Sequence, residues 1–119
     1  MDTSGMIGKY GARYSSNFGK FSLSIEDPYY PVFQDLSEDT VIIALSVSGE
    51  SNLIIDMLTK FRNHKCKLLS ITNEPNSTIA RVSDWNICYN TTKSKIEPIY
   101  DVTSQVPVVF LIEALARRI

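Results

Sequence analysis

The stretch VIIALSVSGES, residues 41–51, decides the fold, because an unbroken apolar run passes directly into a hydroxyl-rich loop that contains a glycine. A continuous apolar run of this length is typical of a strand covered on both faces, which indicates a parallel sheet. The glycine allows the chain to turn tightly. The helix that follows presents unpaired backbone N–H groups and the positive end of its dipole, and both favour an anion. We therefore predict a phosphate-binding loop at residues 46–51.

Alternating patterns downstream of this loop predict further strands and helices. Residues 51–64 carry apolar side chains at helical spacing, which indicates a crossover helix, and residues 77–83 predict a shorter helix. Apolar or β-rich runs at residues 67–71 and 85–89 predict two more strands. A final helix is predicted to be capped by Ser104, with Pro107 tolerated only in its first turn. This order of elements predicts an α/β fold with a parallel sheet.

The N-terminal part of the chain predicts a helix over residues 4–18, followed by a strand over residues 21–25 and a turn. The aromatic positions of this helix are Tyr10, Tyr14 and Phe18, and its small-residue stripe is Gly5, Gly8 and Ala12. Glycine in a helix interior costs about 1 kcal/mol relative to alanine. We therefore expect the small stripe to lie close to a neighbouring backbone.

Composition excludes several classes of function. The chain has 119 residues, of which 44% are hydrophobic and 21% charged, and its net charge of −1 argues against non-specific binding to nucleic acid or to an anionic membrane. It contains no apolar run of about 18 residues and no signal peptide, so we expect a cytoplasmic protein. Cys66 and Cys88, with His64 as the single histidine, cannot complete a four-ligand zinc site, and we expect both cysteines to be buried.

Three segments resemble the SIS (sugar isomerase) domain in the form found at the C-terminus of RpiR-type transcriptional regulators. They are the loop at residues 46–51 and the segments at residues 70–73 and 77–84. The family loop reads serine, any residue, serine, glycine, glutamate, then threonine or serine. The residues that match it here are Ser46, Ser48, Gly49, Glu50 and Ser51. A second family loop also contacts the ligand, and Thr3 and Ser4 resemble its tail. The resemblance implies that these residues bind a phosphosugar.

The resemblance also implies an architecture: a three-layer α-β-α sandwich whose parallel sheet is doubly wound and flavodoxin-like. Residues 1–119 would form a single SIS domain that lacks the first strand of the family, which lies in the middle of the sheet. Three explanations stay open for this difference: a fragment or misassigned start, a strand over residues 21–25 directly beside the strand at residue 41, or a strand donated by a partner. We also expect a homodimer whose contacts include the first and last helices.

Two functions follow from this resemblance. The first is a phosphosugar sensor that reaches DNA only through a helix-turn-helix module, which this chain lacks. The alternative is an aldose-ketose isomerase, which needs an acid and a base, and Glu97 is the candidate carboxylate. We favour the sensor, with no catalytic residue, cofactor or metal, and we expect Glu50 to act structurally at the dipole of the helix that follows it. A flavodoxin is disfavoured, because its phosphate loop follows the first strand.

Overall fold

The structure, a computed structural model, describes residues 3–27, 40–89, 95–96, 100–101 and 104–118. The chain divides into two compact units. The first unit contains Ile25–Cys88, and the second combines Asp2–Ser24 with Tyr89–Ile119. The loop at residues 46–51 belongs to the first unit.

A three-stranded parallel sheet forms the centre of the first unit. Its strands are β1 (Val41–Leu45), β2 (Lys67–Thr72) and β3 (Trp85–Cys88), paired in the order β1-β2-β3. Leu45 pairs with Ile71, and Thr72 pairs with Cys88, so the carboxyl ends of all three strands reach the same edge. The predicted α/β class with a parallel sheet is confirmed.

Two crossover helices connect these strands. Helix α2 (Asn52–Arg62) joins β1 to β2, and helix α3 (Thr78–Val82) joins β2 to β3. Both helices were predicted, and each begins and ends inside its predicted range. Apolar side chains from the helices and one face of the sheet form the core of the unit. Its buried members are Ala44, Leu58, Phe61, Cys66, Leu68 and Ile79.

The prediction that β1 is covered on both faces is wrong. Val41 and Ile43 are 47% and 39% exposed, whereas Ala44 on the other face is buried. In the described part of the sheet, β1 pairs with β2 alone, so the central strand β2 takes the buried position instead. Cys66 is buried as expected, which raises the pKa of its thiol. Cys88 is exposed, contrary to prediction, because it ends β3, an outer strand of the described sheet.

The strand predicted over residues 21–25 does not form. Phe21 is 93% exposed, and the Ser22 hydroxyl donates to the backbone carbonyl of Lys20 within the same segment. A strand requires a neighbour for its backbone groups, and no described strand pairs with this one. The explanation in which this segment lies as a strand beside β1 is therefore also wrong.

Two helices dominate the second unit: α1 (Thr3–Ser16) and α4 (Val106–Arg118). They pack closely at Gly11, where an added Cβ would lie 2.9 Å from Cγ2 of Ile112. Gly11 is buried, whereas Gly5, Gly8 and Ala12, the stripe predicted to lie close to a neighbouring backbone, are half-buried. Helix α4 begins two residues after Ser104, and Pro107 lies in its first turn as predicted.

Polar and aromatic contacts also join α1 to α4. The Tyr10 hydroxyl donates to Oε2 of Glu113 at 2.6 Å, which raises the pKa of Tyr10. The guanidinium of Arg117 lies 5.8 Å from the ring centre of Tyr14 and 5.7 Å from that of Phe18, a cation–π geometry. The contacts advance in the same direction along both helices, so α1 and α4 run parallel.

A short antiparallel pair, β4 (Lys95–Ile96) and β5 (Tyr100–Asp101), precedes α4 and was not predicted. Residues 91–94, directly before β4, lie outside the described part of the chain. None of the described helices has the length and apolar character needed to cross a membrane.

Candidate functional site

The loop at residues 46–51 leaves the carboxyl end of β1 with its backbone still tied to β2. The Ser46 N–H donates to the carbonyl of Ile71 at 3.2 Å, and the Asn73 N–H donates to the carbonyl of Val47 at 2.9 Å. These bonds extend the sheet ladder past the ends of both strands. The first half of the loop is therefore held by the sheet.

Two serine hydroxyls shape the loop from within. Oγ of the buried Ser46 accepts the Gly49 N–H at 3.0 Å, and Oγ of the exposed Ser48 accepts the Glu50 N–H at 3.2 Å. Both amides are therefore partnered inside the loop, and neither is an unpaired donor as the sequence suggested. A hydroxyl that accepts a bond still has its own proton to donate, so Ser48 can donate outward to a bound anion.

Gly49 is required at its position for two reasons. Its φ is +70°, in the left-handed region that side chains disfavour. A Cβ at this residue would also lie 2.0 Å from Oγ and 2.4 Å from Cβ of Ser77, the N-cap residue of α3. The Ile79 N–H donates to the Gly49 carbonyl at 3.0 Å. The loop is therefore packed directly against the start of α3.

Glu50 is bound to α3, and this corrects its predicted place in the first turn of the helix that follows the loop. Helix α2 begins at Asn52, and the Glu50 carboxylate accepts the Thr78 N–H at 3.0 and 3.4 Å and the Thr78 hydroxyl at 3.2 Å. The bonds from the Thr78 hydroxyl and amide lower the pKa of Glu50. The carboxylate therefore occupies the N-terminal end of α3.

The N-terminal end of α2 carries no such carboxylate among the described residues. Its N-cap residue is Ser51, with extended backbone angles, and the Ser51 side chain makes no capping hydrogen bond. The first N–H groups of any α-helix have no acceptor within the helix. The half-buried Ser51 hydroxyl, the exposed Ser48 hydroxyl and these N–H groups are donors within a few residues of each other in the chain, which is the chemistry that an oxyanion requires.

Five of the predicted site residues lie in one loop of the first unit, and the other two belong to the second unit. Thr3 and Ser4 were expected in a loop tail, but they lie in the first turn of α1, in the second unit. Glu97, the candidate carboxylate of the isomerase alternative, lies outside the described residues.

Two residues that contact the loop, Ser77 and Thr78, were not predicted from the sequence. Ser77 and Thr78 lie in a segment that carried the family resemblance, but neither was assigned to the site. The signal available was Ser77 just before a short helical pattern, which is typical of an N-cap. Ser77 does cap α3, since its Oγ accepts the Ala80 N–H at 3.3 Å.

Among the described residues, no group of three or more His, Cys, Asp or Glu side chains could hold a metal ion.

Comparison with known proteins agrees with the fold. The sequence model of the SIS domain matches residues 2–116. An uncharacterized HTH-type transcriptional regulator of Clostridium perfringens is 24% identical over 79 residues, which are 66% of this chain and 28% of the regulator. Arabinose 5-phosphate isomerase of Yersinia pestis is 29% identical over 55 residues, 46% of this chain and 17% of the isomerase. The matches therefore span less than a third of either relative.

Solved structures show the same fold at low identity. An E. coli CFT073 protein in complex with arabinose 5-phosphate has a TM-score of 0.83 and 21% identity, over 98% of this chain and 64% of that protein. The Vibrio vulnificus NanR protein complexed with ManNAc-6P has a TM-score of 0.82 and 20% identity, over 99% of this chain and 45% of that protein.

The bond between Glu50 and Thr78 predicts a specific pH dependence of stability. The pKa of Glu50 is lower in the folded state than its ordinary value of 4.5. Its carboxylate therefore adds to the free energy of unfolding above pH 4.5, and this contribution is lost as pH falls through the folded-state pKa. Glu50→Gln should lower the free energy of unfolding, measured in urea, more at about pH 6 than at about pH 3. Asp56→Asn, at an exposed carboxylate of α2, is the control. A Glu50→Gln effect that is equal at both pH values would contradict this role.

Proposed function

The chain belongs to the SIS domain family, and we propose that it is the phosphosugar-binding sensor domain of an RpiR-type transcriptional regulator. The observation that carries this proposal is the set of donors at Ser48, Ser51 and the first turn of α2. The carboxylate of the neighbouring Glu50 is bonded to Thr78. In this proposal residues 1–119 act as one SIS domain. DNA recognition belongs to a separate helix-turn-helix module.

Phosphate suits this loop better than an uncharged sugar hydroxyl does. A phosphate group offers several negatively charged oxygens, and the loop has two hydroxyl donors, Ser48 and Ser51, next to the positive end of a helix dipole. Glu50 would repel a phosphate if its carboxylate pointed into the loop, but its bonds to Thr78 hold it at α3. We assign phosphate contacts to Ser48 and Ser51, and loop shape to Ser46 and Gly49. Thr3 and Ser4 are proposed as further ligand contacts on the resemblance alone.

The similar structures support a sugar phosphate as the ligand class. One of them holds arabinose 5-phosphate and another holds ManNAc-6P, and both share the fold of this chain. The similar regulator of Clostridium perfringens supports the sensor role. The second candidate function, an aldose-ketose isomerase, is favoured by the similarity to arabinose 5-phosphate isomerase of Yersinia pestis. The sensor is preferred because the carboxylate of the loop, Glu50, is committed to Thr78.

We further propose that the chain forms a homodimer through α1 and α4. Val106 and Phe110 lie one turn apart on α4 and are 73% and 71% exposed. Large apolar side chains exposed on one helix face mark interaction surfaces more often than isolated ones do. A sensor that works through a dimer can report ligand binding as a change in how its two copies are arranged.

The first prediction for this function concerns phosphate binding. Replacing Ser48 and Ser51 together with alanine should abolish binding of arabinose 5-phosphate and ManNAc-6P, because hydrogen bonds to a charged group contribute about 1.5 to 3 kcal/mol each. Thermal unfolding with each sugar phosphate, its unphosphorylated sugar and inorganic phosphate is the measurement, since a ligand at a hundred times its Kd adds about 2.7 kcal/mol. The control, Ser16→Ala with Thr59→Val, removes hydroxyls that bond to helix carbonyls. Unchanged affinity in the Ser48 and Ser51 variant would place the site elsewhere.

The second prediction separates the sensor from the isomerase. The chain incubated with arabinose 5-phosphate should produce no ketose phosphate above the rate in buffer, measured by NMR of the sugar carbons. Turnover by the wild type that disappears in Glu97→Gln would establish the isomerase and reject the sensor.

The third prediction concerns the dimer. Light scattering at low micromolar concentration should give twice the chain mass for the wild type, and Val106→Ser with Phe110→Ser should give the mass of one chain. Leu23→Ser, at another exposed apolar side chain outside the helices, should leave the dimer intact. A wild-type chain that remains monomeric with a cooperative melt would reject this surface.

A further inference from the structure

We propose that Asn86 and Thr72 are positioning residues that set the geometry of the phosphate loop. The two residues belong to a polar cluster on β2 and β3, outside the loop. Ser70 and Thr72 lie on one face of β2 with no exposed surface, and Asn86 is the strand partner of Ser70 on β3. Burying a hydroxyl without a hydrogen-bond partner costs free energy of folding. The hydrogen bonds of Ser70 and Thr72 therefore constrain the positions of the residues that partner them.

The hydrogen bonds of this cluster have a defined direction. The Asn86 side-chain amide donates from Nδ2 to Oγ of Ser70 at 2.9 Å and to Oγ1 of Thr72 at 3.1 Å. The Thr72 hydroxyl donates to the carbonyl of Glu74 at 3.0 Å. A hydroxyl has one proton, so a Thr72 that donates to Glu74 must accept from Asn86. The chain of bonds therefore runs from Asn86 through Thr72 to Glu74.

The series of hydrogen bonds ends at the Glu74 carbonyl, which lies in the turn that leads into α3. This carbonyl also accepts the Ser77 N–H at 3.3 Å, so one carbonyl oxygen fixes both ends of the turn. Ser77 then abuts Gly49, and the next residue, Thr78, holds the Glu50 carboxylate. A shift of the Glu74 carbonyl therefore moves both residues that hold the phosphate loop.

Thr72 also lies directly beside the loop. Its Cγ2 methyl is 3.4 Å from the position that a Cβ of Gly49 would occupy, which is an ordinary van der Waals distance. The side chain whose hydroxyl bonds to the turn is therefore also a neighbour of the glycine of the loop. A site held in one geometry before the ligand arrives binds it without the cost of ordering the loop.

This inference rests on the proposed function, so the test includes a readout that needs no ligand. Thr72→Val keeps the methyl group and removes the hydroxyl, Thr72→Ser keeps the hydroxyl, and Asn86→Ala removes the donor. Thr59→Val is the matched control, because its hydroxyl also bonds to a carbonyl but lies on the exposed side of α2. The readouts are the affinity for arabinose 5-phosphate, the ¹H–¹⁵N resonances of Gly49 and Glu50 in the ligand-free protein, and the free energy of unfolding in urea.

Thr72→Val and Asn86→Ala should each lower the affinity for the sugar phosphate by about tenfold or more and shift both amide resonances in a folded protein. Thr72→Ser should retain the affinity within about threefold, and Thr59→Val should match the wild type in both readouts. If Thr72→Val does not fold, the affinity and the two amide resonances of Asn86→Ala decide the test. The proposal is overturned if affinity and both resonances are unchanged in the folded variants, or if Thr59→Val alters them equally.

The same experiment separates this proposal from the proposed function. A wild-type chain that binds neither arabinose 5-phosphate nor inorganic phosphate would reject the phosphosugar site. The Gly49 and Glu50 resonances of the ligand-free variants would still show whether Thr72 and Asn86 position the loop.

Discussion

The contact between Gly49 and Ser77 is the constraint on which the rest of the candidate site depends. Because Ser77 occupies the space that a side chain at Gly49 would need, the loop after β1 and the turn after β2 interlock at the carboxyl edge of the sheet. The hydrogen bond from the Ile79 N–H to the Gly49 carbonyl joins the same two segments. Any larger residue at position 49 would separate the two connections, whatever the rest of the loop contained.

The interlock also explains how charge is divided between two neighbouring helices. Glu50 follows Gly49 directly, so fixing the glycine against Ser77 brings the Glu50 carboxylate to Thr78 and the N-terminal end of α3. The N-terminal end of α2 has Ser51 as its N-cap residue, without a side-chain bond, and no acidic residue in its first turn. In the proposed function this second position is the one that receives the phosphate. On this proposal the protein's own carboxylate and the phosphate of the ligand would lie at the N-terminal ends of two different helices.

The sequence predicted the parts of the fold that depend on local pattern. The apolar run at residues 41–45, the helical spacing after Ser51 and the glycine of the loop are local signals, and the structure confirms β1, α2 and the turn. The partner of Glu50 and the hydrogen bonds of Asn86 were missed, because both join residues that are distant in the chain. The false strand at residues 21–25 has the same cause, since a strand depends on a neighbour that a local pattern does not reveal.

The most direct test of the central claim is a crystal structure of the chain with arabinose 5-phosphate bound. The account predicts phosphate oxygens at about 3 Å from the Ser48 and Ser51 hydroxyls and from N–H groups in the first turn of α2. Glu50 should remain on Thr78. A phosphate bound away from residues 46–51, or a Glu50 carboxylate that leaves Thr78 to contact the sugar, would contradict the account.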